Sequence, residues 1–229
     1  MKSKEFASLA RKLLPQCPRM IVHGTMLVMP PIEPVLRGLC FEGSSFDAKS
    51  FYVWAFWMPL YVPADTVSFN LGKRIREECG GDRWSAADDR VIEKLSSAIR
   101  SDALPFLCEL ETAKDVVVAA GRAAAGSRDP YAHQALAYSL AKAGDVAAAV
   151  DSIDVLLGLL SPLVPWQAEL RTRAQSLKET LIAKKEDAAA MLDGWTAESI
   201  RRLGLEQLGG LAPGGGTTEK GTGATFPSS

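Results

Sequence analysis

Residues 51–76 read FYVWAFWMPLYVPADTVSFNLGKRIR, and this stretch decides the fold. It holds five of the chain's eight Phe plus four Tyr, and two of its five Trp. Phe51 to Leu60 reads as a strand. Phe51, Val53, Ala55, Trp57 and Pro59 fall on one face, and Tyr52, Trp54, Phe56 and Met58 on the other. Both faces are apolar, so both need cover, and the strand belongs in the middle of a sheet. Thr66 to Ile75 reads as a neighbouring strand. Val67, Phe69 and Leu71 alternate there with Ser68, Asn70 and Gly72, which gives it one wet face. The link from Tyr61 to Asp65 is too short for a parallel crossover, so the pair is antiparallel.

Toward the N-terminus, Val35 to Phe41 and Arg19 to Met29 read as two further strands. Gly24 marks a bulge or close packing in the latter. Ahead of them Ser3 caps a helix from Lys4 to Leu14, with Phe6, Leu9, Ala10, Leu13 and Leu14 on one face. Toward the C-terminus, Gly80 and Gly81 open a linker. Ser85, with Asp88, reads as the start of a helix carrying Val91, Ile92, Leu95 and Ile99. Helices follow over 102–110 and 112–125. Beyond Pro162 and Pro165 the spacing predicts one long helix from Trp166 to Leu192, broken at Gly194, and a short last helix with Ile200, Leu203 and Leu205. The predicted class is α+β. An N-terminal helix and an approximately four-stranded, mainly antiparallel sheet occupy 1–79, and an α-helical region occupies 85–208. Residues 209–229 are Gly/Thr/Ser-rich and are expected to be disordered.

The most specific local signal is DPYAHQALAYSLAKAGDVAAAVDSIDVLLGLL at 129–160. It resembles a tetratricopeptide-type helical hairpin. Leu136, Ala137 and Leu140 match on the first helix, Gly144-Asp145 at the turn, and Ala149 and Ile153 on the second. His133 and Leu156 depart from that pattern, and no second copy stands on either side. The implied object is one repeat-like hairpin packed on other helices. The run from LRGLCFEGSSF to GKRI, with the strand before it, also resembles functionally uncharacterised bacterial proteins over about residues 20–76. That resemblance implies a bacterial, cytoplasmic protein and carries no activity, cofactor or catalytic residue.

Composition narrows the function. The formal net charge is −1 and no segment forms a basic face, so a dedicated nucleic-acid binder is not expected. The longest apolar run, Phe51 to Val62, is too short for a bilayer span, which needs about 20 residues. No membrane partner is expected, and the protein reads as soluble. Cys17, Cys40, Cys79 and Cys108 form no CxxC pair. They read as free thiols in a reducing compartment, with distant disulfide or metal pairings as the alternative. No cofactor motif occurs: there is no GxxxxGK[ST], no GxGxxG between a strand and a helix, no GxSxG and no HExxH.

The candidate interaction residues are Arg37, Glu42, Asp47, Lys73, Arg74, Arg76 and His133. Turn chemistry explains Asp47. A charged strand end at Lys73, Arg74 and Arg76 either guards the sheet edge or meets an acidic partner. The leading expectation is a non-enzymatic protein-interaction or adaptor protein with an unidentified protein partner. The alternatives are an enzyme with a pocket near Arg37, Glu42, Asp47 and Lys73, and an immunity-type protein that neutralises a toxin.

Overall fold

The computed structural model describes residues 3–78 and 80–209. The expected disorder beyond Gly209, the thiol of Cys79 and the capping side chain of Ser3 lie outside the described part. The architecture is α+β: an N-terminal helix, a six-stranded antiparallel sheet, and a helical region of packed pairs. Helix α1 spans Ser3–Leu13. The strands are β1 (Ile21–His23), β2 (Met26–Val28), β3 (Val35–Gly43), β4 (Ser50–Pro59), β5 (Gly72–Arg74) and β6 (Arg83–Ser85). They run in the order β1-β2-β3-β4-β5, and β6 pairs with β4 beside β5.

The decisive strand is central, as its two apolar faces require. β4 pairs with β3 along its whole length and with β5 and β6 on its other edge. Its first face carries Phe51, Val53 and Ala55. With Leu27, Leu39 and Phe41 they pack on Phe6, Leu9 and Leu13 of α1, and on Val91, Leu95, Ile99 and Leu107 further on. Its second face carries Phe56, which joins Met26, Val28 and Leu36 beneath Leu205 and Leu208 from the far end of the chain.

Several elements differ from the sequence reading. The stretch 19–29 is a hairpin rather than one strand. His23 pairs with Met26, and Gly24 takes a φ of 58° in the two-residue turn between them. A left-handed φ at the first turn position is what a primed hairpin turn with Gly there demands. The stretch 66–75 contributes only β5 to the sheet. Gly72 N–H bonds back to Phe69 O, so the chain turns before it can pair, and Val67 and Phe69 fold over the second face.

The supposed linker contains β6, so the sheet unit runs past residue 79. Trp84 sits opposite Phe51, is fully buried, and donates from Nε1 to Ile75 O at 3.1 Å. Helix α2 (Val91–Ala98) therefore starts later than Ser85. Asp88 accepts from Arg90 N–H just before it. A π-helical turn, Ile99–Ala103, joins α2 to α3 (Leu104–Cys108). Pro105 lacks the N–H that an α-helical bond to Ser101 O needs, which accounts for the widened turn.

The helical region holds α4 (Ala113–Ala124), α5 (Pro130–Ala143), α6 (Val146–Leu159), α7 (Pro165–Ala183) and α8 (Lys185–Arg202). Thr112 and Asp115 close a capping box on α4. Gly144 ends α5 in the left-handed conformation, φ 84°, as its place in the hairpin turn predicts. The long helix breaks at Lys184, not at Gly194. Lys184 takes extended backbone angles between the two helices, and Lys185, Glu186 and Asp187 form the first turn of α8. The two anions in that turn complement the positive end of the α8 dipole. Gly194 lies inside α8, where the packing of Leu192, Trp195 and Thr196 outweighs its propensity cost of about 1 kcal/mol.

Each of α5 to α8 packs on the next, and α8 returns to α5. Tyr138 of α5 stacks on Trp195 of α8, with ring centroids 5.5 Å apart. The Lys142–Asp193 ion pair ties the same two helices. The four helices thus close into a ring, and α8 covers a face of α5. Among the described residues no helix is long and apolar enough to cross a membrane.

Candidate functional site

The register of β3, β4, β5 and β6 builds a block on the second sheet face. Directly paired residues share a face. Cys40, Trp54 and Arg74 therefore form one row across β3, β4 and β5. Glu42, Tyr52 and Arg83 form the next, across β3, β4 and β6. Leu205 and Leu208 cover the other end of this face around Phe56 and Leu36, and the core they make does not include Tyr52 or Arg83.

The block is held by stacking and charge. Trp54 donates its indole N–H to Glu42 Oε2 at 2.8 Å and stacks on Phe69 at 5.2 Å. The Arg74 guanidinium lies 4.1 Å from the Tyr52 ring centre and 4.9 Å from that of Trp54. A guanidinium over two aromatic faces is fixed in direction at little hydration cost. Its Nη1 donates to Asp82 at 2.9 Å, while its Nε is buried with no hydrogen-bond partner. Beneath the block, burial raises the Cys40 thiol to about 11.

The other sequence candidates lie elsewhere. Arg37 faces the opposite way from Glu42 along β3 and is buried. It donates to Leu107 O in the last turn of α3 and to Leu110 O just beyond it. Lys73 also faces the first side. It pairs with Asp102 and lies over the Phe106 ring at 5.0 Å. Asp47 accepts from Ser50 Oγ and Lys49 N–H in the β3–β4 turn, and the Ser50 bond leads the causes that hold its carboxyl below the usual range. Glu42, Asp47, Arg37 and Lys73 therefore do not converge on one pocket. Arg76 is exposed just past β5. His133 Nε2 donates to Ser127 O at 2.9 Å, which ties α5 to the loop before it.

A second surface lies at one end of the helical ring, and the sequence reading passed it over. Tyr131 opens α5 and Trp166 opens α7. Their rings stack 5.3 Å apart and within 4° of parallel, and each residue is 42% exposed. Leu163, between Pro162 and Pro165, is 90% exposed beside them in sequence. The signal available in the sequence was the apolar, proline-flanked turn SPLVPW.

No family model, no curated protein and no solved structure matches this chain.

A shallow cleft of about 380 Å³ lies where α3 meets α4, lined by Cys108, Glu109, Glu111, Asp115 and Arg122. Its charges are largely spent: Arg122 pairs with Glu109, Arg19 with Glu111, and Asp115 caps α4. Among the described residues no cluster of His, Cys, Asp and Glu has the geometry to hold a metal ion.

Proposed function

We propose that this chain is a non-enzymatic, cytoplasmic protein-interaction or adaptor protein of bacterial type, and that it docks a protein partner through the end of its helical ring. The supporting observation is the exposed Tyr131–Trp166 stack with Leu163 beside it. Tyr and Trp are the side chains most enriched at binding hot spots, because each offers a large, rigid, amphipathic face. Prolines on both sides of Leu163 restrict the loop, which lowers the entropy lost on docking. In this reading α5 and α6 are a tetratricopeptide-like pair whose outer end, rather than an open groove, meets the partner. A toxin-neutralising protein is one member of this class.

The test is site-specific photo-cross-linking in native lysate. A benzophenone side chain at Leu163 is expected to trap a discrete protein. The same group at Ile182, which is also exposed, is expected to trap none, and Tyr131→Ala with Trp166→Ala should abolish the adduct. Equal labelling from both positions, or none from Leu163, overturns the proposal.

A further inference from the structure

We propose that the C-terminal segment around Phe226 and Pro227 docks on the Tyr131–Trp166–Leu163 surface of its own chain and competes there with the protein partner. The inference rests on the reading of that surface as a docking site.

Three observations carry it. The first is where the described chain ends. Gly209 lies beside the Glu33 side chain. Next to Glu33, Pro34 O accepts from Leu60 N–H, and the following residue, Tyr61, meets Ser139 of α5. Ser139 and Tyr131 are about 12 Å apart along that helix. The second is the direction of α8, which runs antiparallel to α5. The Lys185 side chain at its start reaches Gly144 at the end of α5, Asp193 pairs with Lys142, and Trp195 stacks on Tyr138. α8 therefore carries the chain toward the end of the ring where α5 opens with Tyr131 and Trp166 stacks on it.

The third is the sequence beyond Gly209. Phe226 is the one aromatic in residues 210–229, and Pro227 follows it. Between Gly209 and Phe226 the chain can span about 55 Å when extended. The longest helix of the ring, α7, is about 28 Å long, so the surface is within reach. A ligand tethered by a short Gly-rich segment meets its site at an effective concentration of about millimolar, which suits a weak apolar contact. Charge does not oppose it. Glu219 and Lys220 offset each other in the segment. Beside the stack, Asp129 caps α5 and Glu169 pairs with Arg173. Other exposed apolar side chains are placed less well. Phe46 lies past the opposite end of β3 from Glu33, and Ile182 at the opposite end of α7 from Trp166.

The test uses the purified full chain with a benzophenone side chain at Leu163. Irradiation is expected to join residue 163 to the tryptic peptide that begins at Gly221, since trypsin cuts after Lys220. The adduct should form within one chain, read from an equal mixture of light and heavy-isotope protein. Phe226→Ala, or Tyr131→Ala with Trp166→Ala, should lower its yield severalfold, and a benzophenone at Ile182 should give none. In native lysate Phe226→Ala should raise the partner adduct from Leu163 about twofold, the factor for a surface half occupied by its own segment. No adduct to the 221–229 peptide, the same adduct from Ile182, a yield indifferent to Phe226→Ala, or an adduct only between chains overturns the docking. A partner adduct unchanged by Phe226→Ala overturns the competition. A cross-link within the chain but no partner adduct in lysate would instead remove the partner and leave the docking in place.

Discussion

The Arg37 guanidinium on β3 donates to the main-chain carbonyl of Leu110 at 2.6 Å, and the same nitrogen reaches Leu107 O at 3.1 Å. Arg37 is only 4% exposed, and burial pulls its pKa below the ordinary guanidinium value. One partner, Leu107 O, belongs to the last turn of α3, whose carbonyls lack intrahelical donors, and the other, Leu110 O, lies just beyond the helix. The contact joins the sheet to the helical side, and a cation there also meets the negative end of the helix dipole. Arg37→Met keeps most of the volume but strands two carbonyls. It is expected to cost about 2–4 kcal/mol in urea unfolding, the range for buried polar groups left unpaired. A loss under about 0.5 kcal/mol, the scatter of ordinary surface substitutions, would show that the junction is held by apolar packing alone.

Gly38, next to Arg37, is a separate structural demand. A Cβ at this position would lie 2.2 Å from the Leu27 carbonyl oxygen and 3.1 Å from Val28 Cα, both backbone atoms of the paired strand. Neither can move without opening the β2–β3 ladder. Gly38→Ala is therefore expected to destabilise by about 3 kcal/mol or more, an overpacking effect at the upper end of its usual range. Gly158, on α6, meets nothing within 4 Å of an added Cβ. Gly158→Ala should stabilise by a few tenths to about 1 kcal/mol through helix propensity. Thermal melts of the two variants should move in opposite directions.

These two neighbours also show what the sequence made legible. β4 could be read because its alternation is local: five residues on one face and four on the other are apolar whatever they meet. Gly144 could be read because a helix end selects glycine locally. Gly38 had no such signal, since what excludes a side chain there is a strand more than ten residues away. Trp84 was misplaced for the same reason. Beside Ser85 it looks like the residue before a helix cap, and only its pairing with Phe51 turns it into β6. The candidate block repeats the pattern. Glu42 and Arg74 stood out as charges, but Trp54 unites them through register across three strands, and Arg83 lay in a stretch that read as linker. The break at Lys184 was hidden because an ordinary lysine in an extended conformation, rather than a glycine or proline, stands there.

His23 gives the fold a pH dependence with a definite sign. Burial lowers its pKa from the ordinary 6.5. The unfolded chain therefore binds a proton at a pH where the folded chain does not. Stability from this group is complete above the unfolded value. It is lost as pH falls from about 6.5 through the lower folded value. The midpoint in urea should fall over that interval, and His23→Gln should flatten this part of the curve while leaving the more acidic, carboxylate-driven limb in place. An identical slope in both proteins would assign the effect to another group.

The contact between sheet and helical ring at Tyr61 and Ser139 can be tested as a coupled pair. The two hydroxyl oxygens lie 2.7 Å apart, both residues are buried, and Ser139 Oγ also lies 2.6 Å from Ala135 O. Serine has one hydroxyl proton, and a carbonyl can only accept. Ser139 therefore donates to Ala135 O, and the Tyr61 hydroxyl donates to Ser139. Tyr61→Phe removes a donor and leaves an acceptor that still has its own bond, so it should cost about 1 kcal/mol. Ser139→Ala leaves the buried Tyr61 hydroxyl without an acceptor and should cost more, about 1–3 kcal/mol. Once Tyr61 is Phe, Ser139→Ala strands nothing and should add little. The double-mutant cycle is expected to show a coupling of at least about 0.5 kcal/mol. Strictly additive losses would mean that the two hydroxyls do not share the proton that joins the sheet to α5.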